Sequence, residues 1–416
     1  MTDAPVPPHR ARPTATGFVD ADPLLPEVAA ARPAQQLAQR IEVRRLTAYV
    51  YRAPIATPVV TSFGVMRDRP AVLVRVEDGD GCVGWGEVWA NFPSCGAEHR
   101  ARLVASVIGP HLVGQSFADP AHAFVTLERR LRTLALQAGE WGPFAQALAG
   151  VDIALWDLAA RRSDMSLAAL IGGTADSVPV YASGINLDGA ARTIATCRAQ
   201  GHRAFKIKVG FGRDRDLGAI REVADDLQPG EQLMFDANQA WDLDTAIAMA
   251  RSLEAVNPRW LEEPIAANRP LAEWRSLAGA TTVPLAGGEN LRGLLAFETA
   301  IESKALGVVQ PDVCKWGGIS GCVPVARKTL QAGLRYCPHF LGAGIGLLAS
   351  AHLLAAVGGD GLLEVDNNPN PLREALASPF PQFHDARFPL PQAPGLGVEP
   401  ALPQARPWLV ATEGTS

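Results

Sequence analysis

The chain has 416 residues, a net charge of −5, and is 48% hydrophobic and 19% charged. That length allows two domains, and the composition is that of an ordinary globular protein. The mild negative charge argues against a nucleic-acid partner, and no apolar run approaches the ~20 residues of a membrane span. The six cysteines (Cys82, Cys95, Cys197, Cys314, Cys322, Cys337) are scattered without a CxxC pair. A reduced, cytoplasmic protein without structural zinc is expected from that pattern.

Residues 1–40 are rich in Pro and Ala and lack periodicity, so they read as an unstructured extension. From Glu42 to Glu87 the pattern is β-rich, and "PAVLVRVEDGDGCVGWGE" reads as two strands around a Gly/Asp turn. Helical patterns run from Ala97 to Leu170. In "VDIALWDLAARR", Val151, Ala154, Leu155 and Leu158 recur at helical spacing. Strands followed by helices predict an α+β capping domain over 41–170.

From Val178 onward short apolar strands alternate with amphipathic helices: "VPVYAS", "AFKIKV", "QLMFDA", "RWLEE", "VPLAGGE", "GVVQPD", "RYCPHF" and "LLEV". Alternation implies a parallel sheet, and eight strands imply an α/β fold of the (β/α)8 TIM-like barrel type over 171–375. A doubly wound open sheet would have fewer strands and a Gly-rich phosphate turn after the first. The Pro-rich segment 376–416 is expected to return to the capping domain.

Lys206 and Lys208 sit two apart in "AFKIKV", so they share one face of an apolar strand. Buried lysines need partners. The following strands end in Asp236, Glu262 and Glu263, Glu289, Asp312, His339 and Glu364. Polar groups at the C-terminal ends of barrel strands converge on one mouth, where such barrels keep their active sites. Those acids balance the lysines, yet Asp236, Glu262 and Glu289 crowd too many anions together to stay unpaired. A divalent cation resolves the conflict. An all-oxygen site suits Mg²⁺, with Mn²⁺ as a substitute.

The motifs "KIK", "DAN", "WLEEP", "GGEN", "PDVCKWGG" and "PHF", in that order, resemble the enolase superfamily and its mandelate racemase subgroup. The resemblance runs from Glu42 to the end. It implies a modified, enolase-type barrel with Asp236, Glu262 and Glu289 as metal ligands. Lys208 resembles the base of the KxK pair, with Lys206 its partner. His339 and Asp312 resemble the His–Asp dyad on the opposite face. Glu364 matches a carboxyl that, protonated, hydrogen-bonds the substrate carboxylate. Glu263 is expected to support Glu262, because strand alternation sends only one of the two inward. "KIKVGFG", "PHFLGAGIG" and "EVDNNPNPLRE" are similar to acid-sugar enzymes of the galactarolactone cycloisomerase kind.

The resemblance implies abstraction of a proton α to a carboxylate through an enolate. Cycloisomerase, dehydratase and racemase outcomes are open, with a catalytically silent binding barrel as the alternative class. In such proteins two capping-domain loops cover the site. Residues 61–69 and 89–99 match, which puts Arg67, Arg69 and Trp89, with Asn238 from the barrel, as substrate contacts, and Phe92 in an apolar wall. Glu87 and His352 read as structural. The partners expected are a small carboxylate and further copies of the chain.

Overall fold

The computed structural model describes residues 40–60 and 64–415. The N-terminal extension before Arg40 and the first three residues of the 61–69 loop lie outside the described residues.

The chain opens with three antiparallel strands, β1 (Ile41–Val60), β2 (Val65–Asp78) and β3 (Val83–Val88). Asp78 makes the β2–β3 turn, its Oδ1 accepting from the Asp80 and Cys82 amides at 2.9 Å each. A short strand β4 (Ser116–Phe117) pairs with the start of β1. Two helices pack over this sheet, Pro120–Ala138 and Trp141–Arg162. The first is capped by Asp119, which accepts from the His122 amide at 2.7 Å, and it stops at left-handed Gly139. The second is buried along its middle because its Ala- and Gly-rich face lies directly on β3. A Cβ on Gly86 would stand 1.9 Å from the Gly150 carbonyl oxygen, so the "GWG" of β3 lets helix and strand backbones touch.

Eight parallel strands follow: β5 (Ser177–Ile185), β6 (Ala204–Lys208), β7 (Gln232–Asp236), β8 (Leu261–Glu262), β9 (Leu285–Gly287), β10 (Val308–Val309), β11 (Arg335–Tyr336) and β12 (Leu363–Asp366). They run in the order β11-β10-β9-β8-β7-β6-β5-β12. The two ends of this curled sheet meet where a Cβ on Gly361 would strike the Tyr336 carbonyl, 1.8 Å away. Among the described residues a helix of nine or more residues separates each pair of consecutive strands, but the helix directly after β12, Pro371–Ala375, has five residues. Pro371 opens that helix at its first position, where proline is tolerated, and it stops after Ala375. All eight expected strands therefore form, and the last helix of a full (β/α)8 barrel is cut short.

Strand alternation fills the barrel in layers. Tyr181, Ala204, Met234, Trp260, Ala286, Val308, Cys337 and Leu362 form one buried apolar layer, one residue from each strand or its edge. Two residues further along the same faces come Ser183, Lys206, Asp236, Glu262, Gln310 and Glu364. The period of two thus places a polar layer directly above an apolar floor.

The C-terminal segment crosses beneath β5 as β13 (Arg387–Pro389). It then returns to the cap as its edge strand, β14 (Leu409–Thr415), antiparallel to β1. Among the described residues no helix is long and apolar enough to cross a membrane.

Candidate active site

A cavity of about 230 Å³ opens at the C-terminal ends of the barrel strands, under the cap. Lys206, Lys208, Asp236, Glu289, His339 and Glu364 all line it. Strand ladders stop early on this side. Glu289, Asp312 and His339 therefore stand on the turns just beyond β9, β10 and β11, not within the strands.

Lys206 is locked in place. Its Nζ lies 2.7 Å from Glu262 Oε1, 2.8 Å from Glu364 Oε1 and 3.8 Å from Asp236 Oδ2, with the Tyr181 ring 5.6 Å below. Burial alone would favour its neutral form, but the Glu262 and Glu364 charges hold its pKa well above the usual lysine value. Lys208 is different. Burial pushes its pKa down against the pull of Asp236 and Asp366, which is the direction a base requires.

His339 donates through Nδ1 to Asp312 Oδ2 at 2.8 Å, while its Nε2 lies 2.5 Å from Glu289 Oε2. Asp312 is anchored in turn by the Cys314 amide at 2.7 Å. Burial opposes a charged ring, but Glu289, Glu364 and the Asp312 hydrogen bond together raise the His339 pKa well above its ordinary value. Glu364 Oε2 accepts from the Phe340 amide at 3.0 Å. Despite burial, Lys206 and His339 lower the Glu364 pKa, so here it is an ionised acceptor and not the protonated donor expected from the sequence.

Asp236 and Glu262 face each other across the β7–β8 register, and Glu289 follows on the next strand. Burial raises the Asp236 pKa, and the Glu289 charge adds to it. Burial likewise pushes Glu262 up to about 7, with Asp236 and Glu364 adding. Burial would also raise Glu289, but His339 and Lys315 hold it well below the usual range. Among the described residues no three His, Cys, Asp or Glu side chains already surround one point as a finished metal cage. The three carboxylates are instead turned toward Lys206 and His339. Their chemistry still fits a hard divalent cation: three oxygen donors on adjacent strand ends, two of them destabilised by a neighbouring carboxylate.

The expected substrate contacts divide. Trp89 and Asn238 line the cavity, as do Phe92 and Asn368. Asn238 Nδ2 also holds both oxygens of Asp236 at 2.9 Å. Arg67 is exposed and is not brought to the cavity wall. Arg69 is buried, and its Nη2 lies 2.5 Å from Asp366 Oδ2, tying the cap to the end of β12. Its charge is spent on that bond. Glu263 does stand behind the ligands, both its oxygens taken by Asn290 Nδ2 at 2.9 and 3.1 Å. Glu87 accepts from the Ala343 and Gly346 amides at 2.5 and 2.8 Å, capping the helix Gly344–Val357. His352 is buried within that helix.

The sequence reading passed over Lys315 and Gln310. Gln310 Nε2 donates to Glu262 Oε2 at 2.8 Å. Its position two before Asp312, at the same spacing as Lys206 and Lys208, was the available signal. Lys315 lines the cavity from the turn after β10, where no periodicity points to it.

Fold and site together define a barrel enzyme of the isomerase or lyase class, built to move protons beside a cluster of carboxylates. Two family descriptions match the chain: "Mandelate racemase / muconate lactonizing enzyme, N-terminal domain" over residues 44–172 and "Enolase C-terminal domain-like" over residues 189–405. The protein belongs to the mandelate racemase/muconate lactonizing enzyme family of the enolase superfamily. It is 33% identical over 347 residues to D-galactarolactone cycloisomerase from Agrobacterium fabrum, covering 80% of this chain and 89% of that protein. A mandelate racemase/muconate lactonizing enzyme from Bordetella bronchiseptica RB50 shares 55% identity at a TM-score of 0.84, over 88% of this chain and 99% of that one. The L-talarate/galactarate dehydratase of Salmonella typhimurium LT2, solved with Mg and L-lyxarohydroxamate, gives a TM-score of 0.80 at 27% identity, over 92% and 95% of the two chains.

Proposed function

We propose that this enzyme removes the proton α to the carboxylate of an acid sugar or its lactone. The enolate then expels its β-substituent, opening a lactone ring or losing water. One observation carries the reading: Lys208 and His339 line one cavity from well-separated strands, with three carboxylates on the strands between.

Asp236, Glu262 and Glu289 would hold Mg²⁺, for which Mn²⁺ would substitute, and which when bound stabilises negative charge on the substrate carboxylate as a Lewis acid. Lys208 takes the α-proton, since burial favours its neutral amine. Lys206, kept charged by Glu262 and Glu364, directs a hydrogen-bond donor at the growing charge. Asp312 orients His339 through Nδ1, which leaves Nε2 to deliver a proton to the departing oxygen. A racemase would need His339 as a second base. An elimination needs it as the acid that protonates the departing group.

The cavity wall supports a hydroxylated substrate. Ser183, Asn238, Gln239, Asn290 and Asn368 supply hydrogen-bonding groups there. A pocket built to bond hydroxyls discriminates strongly against analogues lacking them. The similarity to a galactarolactone cycloisomerase and a galactarate dehydratase supports the same choice. Six free cysteines favour a reducing, cytoplasmic setting. Leu409 and Val410, exposed on the edge strand β14, favour a homo-oligomer.

Product NMR after incubation with aldarates, aldonates, their lactones and mandelate tests the reading. An acid sugar or lactone should be converted with Mg²⁺, not after EDTA, and again once Mg²⁺ is restored. Racemised mandelate beside inert acid sugars would overturn the substrate class. Full turnover in metal-free buffer would overturn the metal requirement.

A further inference from the structure

Lys315 stands on the turn after β10, which in the strand order lies directly across the barrel from β6 and Lys208. It lines the same cavity, close beneath the cap. Its Nζ sits 4.8 Å from the centroid of the Trp89 ring, and the Asn290 Oδ1 accepts from it at 3.0 Å. The nearest carboxylate oxygen, Glu289 Oε2, is 3.6 Å away, beyond hydrogen-bonding distance, and is already claimed by His339 at 2.5 Å.

An ammonium group has three donors. Among the described residues this one is held by the Asn290 amide oxygen, the Trp89 ring and a longer ion pair to Glu289, whose oxygen His339 shares. The amide and the ring orient the group without neutralising it, and the single Glu289 charge is divided between Lys315 and His339. The other cations at the mouth are committed elsewhere: Lys206 to Glu262 and Glu364, Lys208 and His339 to proton transfer. In the cap, Arg69 is bonded to Asp366, and Arg100, on the Trp89 ring at 5.6 Å, is bonded to Gln146 and the Gly96 and Phe92 carbonyls. The apolar layer closes the barrel floor beneath Lys206, so a substrate reacting between Lys208 and His339 extends upward, toward Trp89 and Lys315.

We propose that Lys315, seated on the Trp89 ring and steered by Asn290, is a subsite for the distal carboxylate of a diacid substrate or its lactone. The inference rests on the acid-sugar reading and narrows it to dicarboxylates. A charge-assisted hydrogen bond in a partly desolvated site is worth roughly 10- to 100-fold in affinity. That is the expected preference for a diacid over the matching monoacid.

Calorimetric binding of galactarate and galactonate to the Mg²⁺-loaded enzyme tests it, with turnover of each followed in parallel. The wild type should bind galactarate ~10- to 100-fold more tightly. Lys315→Met should lose that preference by weakening galactarate alone, and Lys315→Arg should keep it. A purely structural lysine would change both ligands alike in Lys315→Met. That result, or no preference in the wild type, overturns the subsite. Turnover of galactonate without diacid preference sinks the subsite and leaves the acid-sugar function standing. Lys315-dependent binding of galactarate without any turnover keeps the subsite and sinks the reaction proposed for this substrate.

Discussion

Two sets of buried acids can be compared in this molecule. At the seam between cap and barrel lie Glu87, Asp152 and Asp157. Glu87 accepts from two backbone amides. Asp152 accepts from the Ser320 amide at 2.9 Å and its hydroxyl at 2.6 Å. Asp157 accepts from the Trp85 and Leu396 amides at 2.8 and 2.6 Å, and from Arg161 Nε at 2.9 Å. At the mouth, Asp236, Glu262, Glu289 and Glu364 are partnered largely by lysine, histidine and carboxamide side chains. Burial raises the pKa of the seam acids, to about 7 for Glu87 and Asp152 and about 6 for Asp157. It does the same to Glu262. The distinction lies in the donors. A backbone amide is fixed by the fold and cannot be exchanged. A lysine or imidazole can release its carboxylate to a cation or a substrate, and can carry a proton. Equal burial thus gives a rivet in one place and a reaction site in the other.

The largest expected effect is at the mouth. Lys208→Ala and His339→Ala should each lower kcat by about 10²–10⁴-fold, the range of general acid–base catalysis, while leaving thermal stability near wild type. Their failures should differ. In D₂O, followed by NMR on a converted acid sugar, Lys208→Ala should lose α-proton exchange. His339→Ala should keep exchange without forming product. Equal exchange in the two would show that Lys208 is not the required base.

At the seam the pattern should invert. Asp152→Ala leaves the Ser320 amide and hydroxyl without their acceptor, at a cost of about 1–3 kcal/mol for each buried group. Urea unfolding should show a loss of ~2–6 kcal/mol, with the kcat/KM of the folded enzyme close to wild type. A selective collapse of kcat without loss of stability would erase the distinction between the two sets.

The smallest effect links them. Asp366 holds Arg69 of the cap and lines the cavity, where its charge favours the protonated form of Lys208. Lys208 acts as the neutral amine, so kcat rises with pH through its depressed pKa. Asp366→Asn removes a charge that pulls that pKa up, so the rising limb should move to lower pH. The amide oxygen still accepts from Arg69, which keeps the cap in place. A limb that moves to higher pH, or does not move, would show that Asp366 does not bear on the base.

The barrel and most of its mouth are legible in the sequence because both follow from a period of two. That period sets apolar floor residues such as Ala204, Met234 and Trp260 two positions before Lys206, Asp236 and Glu262, and from β6 to β12 a functional group stands within or just beyond each strand. Each of these features is written within a few consecutive residues. What only the tertiary structure decided involves partners far apart in the chain. Arg69 reads as a loop arginine free to meet a substrate until β12 brings Asp366 to it across 297 positions. Nothing in the local sequence marks Lys315 until the fold brings Trp89 of the cap to within 4.8 Å of its Nζ. The charge of Glu364 depends on Lys206 and His339, which arrive from two other strands. Alternation along a strand is dictated by local backbone geometry, whereas the pairing of charges across the mouth exists only once the sheet has curled and the cap has docked.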